Sequence, residues 1–97
     1  MIKKFLLDIV SPEALVVSKE VVMLVAPGSE GDLGILAEHA PLISALREGE
    51  LRIYEFDDRE YVSLFVTGGF LEVAHNRCTV LGENISETAI LKQAENV

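Results

Sequence analysis

The chain has 97 residues, one cysteine, a formal net charge of −8, and hydrophobic residues at 49% of its positions. This length and composition fit one folded, soluble domain with a modest core. The negative charge disfavours a nucleic-acid binder, which needs basic groups to neutralise phosphates, and it disfavours electrostatic docking on an anionic membrane. A protein partner with a basic loop is compatible with this charge.

The N-terminus and the lone cysteine bear on the cellular compartment. Lys3 and Lys4 precede an apolar FLL, as in a secretory signal, but Asp8 interrupts the apolar run and no small-residue cleavage site follows. We therefore expect a first strand here and a protein that is not exported. Cys78 cannot form an internal disulfide, which agrees with a reducing compartment, and we expect it to be a small buried hydrophobe.

Short apolar segments predict a mostly β protein, an antiparallel β-sandwich of about nine to ten strands. Turn residues separate these segments at intervals of about eight to twelve residues, which is typical of sandwiches and barrels. The predicted strands cover residues 5–10, 14–18, 21–26, 33–36, 42–46, 51–56, 61–67, 70–74 and 77–81. The longest apolar run, residues 21–26, is too short to span a bilayer.

The C-terminal segment has a helical pattern instead. Ser86 can cap a helix, and Glu87 suits its positive N-terminal end. Three apolar residues share one helical face: Ile90, Ala94 and Val97. We therefore predict a β-sandwich domain over residues 1–84 and a short helical segment over residues 85–97. A helix of about eleven residues is marginal in water without packing against the sandwich.

Residues 27–42, PGSEGDLGILAEHAPL, concentrate turn residues and charge between strands. They predict a shaped surface loop or a pair of turns, and such loops carry function more often than the strands that hold them. The paired glycines after Thr67 predict a sharp bend or a close approach of two backbones. The residues expected to shape these segments are Gly28, Gly31, Gly34, Pro41, Gly68 and Gly69.

The polar groups of residues 27–42 allow more than one interpretation. A ligand or metal site would require four side chains to converge on one cavity: Glu30, Asp32, Glu38 and His39. Metal and catalytic sites need several ligands at regular spacing, so a hydrogen-bonded or interface histidine is favoured. Glu30 and Asp32 are either solvated acids or a recognition surface at the loop tip.

Known catalytic and nucleotide-binding patterns do not fit the chain. The GSEG turn lacks the lysine of a P-loop, no helix follows it, and its neighbouring acids would repel phosphate. The TGG segment has no nucleophile–base arrangement around it. We therefore expect no enzymatic activity, no cofactor and no metal.

Five segments, taken in order, resemble the epsilon subunit of F-type ATP synthases: LDIVSPE, residues 27–42, GELRI, FVTGGFLEV and CTVLGE. The resemblance covers about residues 5–83, and its most specific part is GSEGDLGI followed by HAPL. It implies a non-catalytic subunit of the rotary central stalk, whose N-terminal β-sandwich binds the gamma subunit and rests on the polar loops of the c-ring. The alpha–beta catalytic hexamer is then an indirect partner.

The same resemblance implies roles for single residues. Glu30 and Asp32 match the turn that meets the c-ring. His39, in HAPL, matches a position near the gamma and c-ring contacts, and Thr67 lies where the sheet faces gamma. It also implies a peripheral position on the cytoplasmic face of a bacterial plasma membrane, or the organellar equivalent, without membrane insertion, in a complex that couples proton flow to ATP synthesis.

Family members usually continue into a hairpin of two helices that inhibits ATP hydrolysis and, in some bacteria, binds ATP. This sequence has room for one short helix, so we expect either a naturally short protein or a truncated one, without hairpin-based inhibition or ATP binding. The alternative to a stalk subunit is a small β-sandwich module that binds a ligand or a metal.

Overall fold

A computed structural model describes the backbone of residues 2–93 and the side chains of residues 2–86. No helix in this part of the chain is long and apolar enough to cross a membrane. The strands are β1 (Phe5–Val10), β2 (Leu15–Val21), β3 (Met23–Gly28), β4 (Gly31–Leu36), β5 (Leu42–Leu46), β6 (Gly49–Tyr54), β7 (Glu60–Val66), β8 (Gly68–Ala74), β9 (Arg77–Glu83) and β10 (Ser86–Gln93).

The strands form one curled sheet in the order β10-β7-β6-β3-β5-β8-β9-β1-β2, with β4 paired to β3. The sheet turns between β3 and β5, which share one residue pair, Gly28 with Leu46. Two five-stranded layers result, β4-β3-β6-β7-β10 and β5-β8-β9-β1-β2. Among the described strands, all pairings are antiparallel except that of β1 with β9. The predicted antiparallel β-sandwich is confirmed.

The core lies between the two layers and follows the two-residue period of the strands. In one layer Leu7 and Ile9 of β1 lie beside Cys78 and Val80 of β9, and all four are 0% exposed. The other layer contributes Leu24, Ala26, Leu51 and Val66. Burying a side chain of this size stabilises the fold by about 1.5–3 kcal/mol. Burial also raises the pKa of the Cys78 thiol to about 12, so this residue packs as the small neutral hydrophobe that the sequence predicted.

The C-terminal segment differs from the predicted helix. Ser86–Gln93 form strand β10. This strand pairs antiparallel with β7, from Ser86 opposite Phe65 to Gln93 opposite Glu60. Strand pairing satisfies the backbone groups along the edge of β7, whereas so short a helix would be marginal and would leave that edge open. The remainder of the predicted helix, residues 94–97, lies outside the described residues.

Candidate functional site

Residues 27–42 contain a turn, a strand and a second turn, as predicted, but the strand is longer than 33–36, because β4 spans Gly31–Leu36. β3 and β4 pair without a break, from Met23 opposite Leu36 to Gly28 opposite Gly31. Ser29 and Glu30 connect the two strands into a hairpin. Gly31 has a φ of +136°, which favours glycine at the first residue after the turn. The two predicted contact acids therefore lie at a tip supported by two strands, which gives them a defined position.

Arg47, at the end of β5, holds this hairpin from the side. Its Nη2 donates to Asp32 Oδ1 at 2.7 Å, and its Nη1 donates to the carbonyl of Gly28. Its backbone N–H donates to the carbonyl of Pro27 at 2.9 Å. Arg47 could not be identified from the sequence, because nothing in the local pattern shows that β5 ends beside the hairpin.

Glu30 and Asp32 therefore differ in whether their charge is already paired within the chain. The Asp32 side chain is 66% exposed and shares its charge with Arg47. Glu30 is exposed and makes no ion pair or hydrogen bond with the side chains that the structure describes. Glu30 is thus the acid more available to a partner, while Asp32 also helps to hold the hairpin.

Four further chain connections lie at the same end of the sandwich as the hairpin tip. Leu46 pairs with both Gly28 and Gly69, and Gly68 pairs with Glu83. The β1–β2 and β9–β10 connections line one groove. We call this region the hairpin end, defined by residues 11–14, 29–32, 47–48, 67 and 83–85.

The hairpin end is acidic. Its exposed carboxylates are Glu13, Glu30, Asp32, Glu48 and Glu83. Arg47 is the one basic residue of the hairpin end, and its guanidinium is occupied by Asp32 and the carbonyl of Gly28. The net charge of this surface is therefore strongly negative, which suits a basic partner surface.

Thr67 belongs to the hairpin end, at the junction of β7 and β8. Its hydroxyl donates to the carbonyl of Glu83 at 3.1 Å and accepts from Asn84 Nδ2 at 3.3 Å. Beside it, Gly69 has a φ of +137°, and a Cβ there would lie 2.0 Å from the carbonyl oxygen of Leu81. The bend and close backbone approach expected of the glycine pair are thus present in the structure.

Gly28 and Gly34 differ in whether the surrounding structure requires a glycine. A Cβ at Gly28 would lie 2.5 Å from the carbonyl oxygen of Gly31, so the hairpin needs glycine there. A Cβ at Gly34 would meet no atom within 4 Å, and its φ is not positive. Neither conformation nor space inside the described chain explains a glycine at this position.

His39 and Pro41 lie at the opposite end of the sandwich. β4 runs from Gly31 to Leu36, so the turn that follows it is about 17 Å from the tip at roughly 3.3 Å per residue. His39 is half-buried, and its Nδ1 lies 2.7 Å from the carbonyl oxygen of Ala40.

This separation bears on the ligand-site hypothesis. Glu38 and His39 are at one end of β4, and Glu30 and Asp32 are at the other, so these four side chains do not converge. Among the described residues no group of three or more histidine, cysteine, aspartate or glutamate side chains is placed to hold a metal ion. A ligand- or metal-binding module is therefore not supported.

The turn containing Glu38 is held by Asn76, which lies in the connection between β8 and β9. Glu38 has a φ of +62°, and its backbone N–H donates to Asn76 Oδ1 at 2.7 Å. Asn76 Nδ2 donates to the carbonyl of Lys4 at 3.0 Å. Asn76 thus joins three chain segments that are distant in sequence.

The chain matches a known protein family over most of its length. Residues 4–88 match the family model described as the ATP synthase delta/epsilon chain, beta-sandwich domain. The chain is 47% identical over 83 residues to the ATP synthase epsilon chain of Desulforamulus reducens and 46% identical over 95 residues to that of Rhodospirillum centenum. These matches cover 86% and 95% of this chain but 61% and 64% of the relatives, so the chain spans less than two thirds of their length.

Solved structures agree at the level of fold. A chain of the mitochondrial ATP synthase central stalk and c-ring of Tetrahymena thermophila matches with a TM-score of 0.74 and 19% identity, over 88% of this chain and 67% of that one. A chain of the Euglena gracilis mitochondrial ATP synthase matches with a TM-score of 0.80 and 17% identity, over 87% and 53%. At such identities the likeness concerns the β-sandwich alone.

Proposed function

The chain belongs to the ATP synthase delta/epsilon family through its β-sandwich domain, and we propose that it is the epsilon-type central-stalk subunit of an F-type ATP synthase. It has no catalytic activity of its own. It binds the gamma subunit and the polar loops of the c-ring, and so helps to couple proton flow to ATP synthesis in the alpha–beta hexamer. It is held at the cytoplasmic face of a bacterial membrane, or the organellar equivalent, by these contacts and does not enter the bilayer.

The observation that carries this proposal is the acidic hairpin end. Five exposed carboxylates and one occupied arginine share a surface whose central hairpin is held by strand pairing and by Arg47. A fixed surface of one charge favours a partner of the opposite charge and speeds encounter with it. Basic groups on the c-ring loops are such a partner, and Glu30 is the residue we assign to the closest contact.

The predicted gamma contacts, His39 and Thr67, are at opposite ends of the molecule. Thr67 lies at the hairpin end with Glu30, whereas His39 follows β4 at the far end. One compact patch does not include both. We therefore propose that gamma lies along the side of the sandwich, next to β4, so that it reaches from the hairpin end to His39.

The proposal is tested by measuring binding of the 97-residue chain to purified gamma and to c-rings. Glu30→Lys is expected to weaken c-ring binding about tenfold, since reversing a charge at a complementary surface costs on the order of 1 kcal/mol or more. The weakening should diminish as salt is added.

Asp58→Lys is the matched control. Asp58 is also an exposed loop acid, but it lies in the β6–β7 connection at the opposite end, and the substitution makes the same change in net charge. If both variants weaken c-ring binding equally, overall charge rather than the hairpin end is responsible. If the unmodified chain binds neither gamma nor c-rings at micromolar concentration, the proposed function is wrong.

A further inference from the structure

Sheet edges expose unpaired backbone groups, and proteins usually protect them with charges, prolines or bulges. In the part of the chain that the structure describes, β2, β10 and β4 each pair with one strand only. Two of these edges have such protection. The pairing of β2 has a register shift, and this strand carries Lys19 and Glu20. The pairing of β10 has two register shifts. β4 pairs with β3 over six consecutive residues without a shift, and it contains neither lysine nor proline.

The backbone groups at this edge point away from β3. The Pro27 carbonyl accepts from the Arg47 N–H, which lies on the side of β3 opposite β4. In an antiparallel pair, facing residues direct their N–H and C=O groups either towards each other or both away. Asp32 faces Pro27 and therefore directs its groups outward, and so do the alternate residues Gly34 and Leu36. No described strand pairs with that side.

Gly34 lies at the centre of this edge. A glycine inside a strand weakens it and often marks a place where another backbone approaches closely. Neither φ nor crowding within the described chain requires glycine there. A strand added from outside the chain would bring another backbone next to this position, which is where a strand glycine is often found.

An open groove of about 410 Å³ runs beside the edge. Its walls are the start of β4 and the facing strand β5, where Ile43 is 74% exposed. Leu36, at the far end of β4, is 57% exposed. Glu30 and Asp32 line the groove, and no basic residue does. The groove thus offers an apolar wall, unpaired backbone groups and negative charge at one end.

We propose that the outer edge of β4 is a strand-addition site, at which an extended segment of the gamma subunit pairs with Asp32, Gly34 and Leu36. The segment carries apolar side chains against Ile43 and Leu36 and a basic side chain near Glu30. Main-chain hydrogen bonds supply affinity and the side chains supply specificity in this mode of recognition. The inference deepens the proposed function and rests on it.

Hydrogen–deuterium exchange at single amides tests this site, with the 97-residue chain alone and bound to gamma. In the free chain the Gly34 and Leu36 amides should exchange quickly, whereas Leu33 and Ile35, which face Ala26 and Leu24 of β3, should be protected. Binding of gamma should slow exchange at Gly34 and Leu36 at least about tenfold. Unchanged exchange at both amides in a formed complex would overturn the inference.

Gly34→Pro gives an independent test, because it removes the outward N–H without breaking the pairing with β3. Proline is tolerated on edge strands when its nitrogen faces solvent. We expect this variant to bind gamma at least about tenfold more weakly than the Gly34→Ala variant, which keeps the N–H; tenfold corresponds to about 1.4 kcal/mol. Equal binding of the two variants would count against strand addition.

The outcomes separate this inference from the function on which it rests. If the chain does not bind gamma, the proposed function fails and the inference fails with it. If gamma binds while the Gly34 and Leu36 amides stay exposed, only the inference fails. If those amides become protected with protein concentration in the absence of gamma, the strand at this edge comes from a second copy of the chain, and the inference is also wrong.

Discussion

Arg47 and Asp32 join β5 to the β3–β4 hairpin through a 2.7 Å ion pair between Nη2 and Oδ1. Because Arg47 also donates to the carbonyl oxygens of Pro27 and Gly28, the end of β5 and the acidic tip behave as one unit. A substitution of Asp32 therefore changes both the charge of the hairpin end and the support of the hairpin. Glu30 is the better probe of partner binding, since its change leaves this support intact.

Asp32→Asn should lower the free energy of unfolding by about 0.5 kcal/mol, as expected for an exposed ion pair. Arg47→Met should cost about 1 kcal/mol, because it also removes the hydrogen bond to the Gly28 carbonyl. Urea unfolding of both single variants and of the double variant gives the coupling energy, which we expect to be about 0.2–1 kcal/mol and to decrease with salt. Strictly additive effects at low salt would mean that the pair does not form in solution.

Gly69→Ala should destabilise the protein by about 2 kcal/mol or more, since it combines an unfavourable backbone angle with a clash. The added Cβ would lie 2.0 Å from the Leu81 carbonyl oxygen, where the φ of Gly69 is +137°. Gly34→Ala is the control, because its Cβ meets no atom within 4 Å. Its effect should stay within about 1 kcal/mol in either direction. Equal unfolding midpoints in urea for the two variants would contradict the described geometry.

The sequence was sufficient to predict most of the sandwich. Leu7 and Ile9 alternate with less buried residues, and this two-residue period predicts a strand with one face in the core. The bend at Gly69 was likewise predicted, since paired glycines between two strands have few other structural uses. Local pattern is enough where the structure depends on local preference and on the burial of one face.

The candidate site was harder to predict because its organisation is not local. Gly31 and Gly34 made residues 27–42 resemble two turns around a short strand at 33–36, whereas pairing with β3 extends β4 to Gly31–Leu36. That strand separates Glu30 from His39, which the sequence had placed in one region. Arg47 could not be assigned to Asp32, because the bend of the sheet at Leu46 brings them together. The helical spacing after Ser86 was overridden by the open edge of β7.

Asn76→Ala should cost about 2 kcal/mol, because it leaves the Glu38 N–H and the Lys4 carbonyl without their partner and removes a residue suited to positive φ. The φ of Asn76 is +58°. Asn76→Asp keeps the acceptor for Glu38 and loses the donor to Lys4, so it should cost less. Thermal unfolding of both variants tests this order. An alanine variant as stable as the aspartate variant would mean that the side-chain acceptor does not hold the Glu38 turn.

Asp8 predicts a pH dependence of stability with a definite sign. Its side chain is largely buried, with 7% of the residue exposed. Two groups hold the pKa of Asp8 below its ordinary value of 3.8. The larger effect comes from the hydroxyl of Ser18, which faces Asp8 in the pairing of β1 with β2, and the next from the Arg77 guanidinium. Arg77 Nε and Nη2 donate to Asp8 Oδ2 at 3.0 and 2.7 Å. The ionised carboxylate is therefore more stable in the folded chain than in the unfolded chain.

A carboxyl whose pKa is lower in the folded state stabilises the protein above its unfolded pKa, which is about 3.9. That contribution is lost as the pH falls from this value through the folded pKa. Asp8→Asn should therefore cost roughly 1 kcal/mol at pH 7, and the difference from the original chain should shrink below about pH 4, where the protonated aspartate resembles asparagine. Urea unfolding at pH 7, 5 and 3 measures this, with the exposed-loop change Asp58→Asn as control. A destabilisation that is the same at all three pH values would show that packing of the side chain, and not its charge, is what Asp8 contributes.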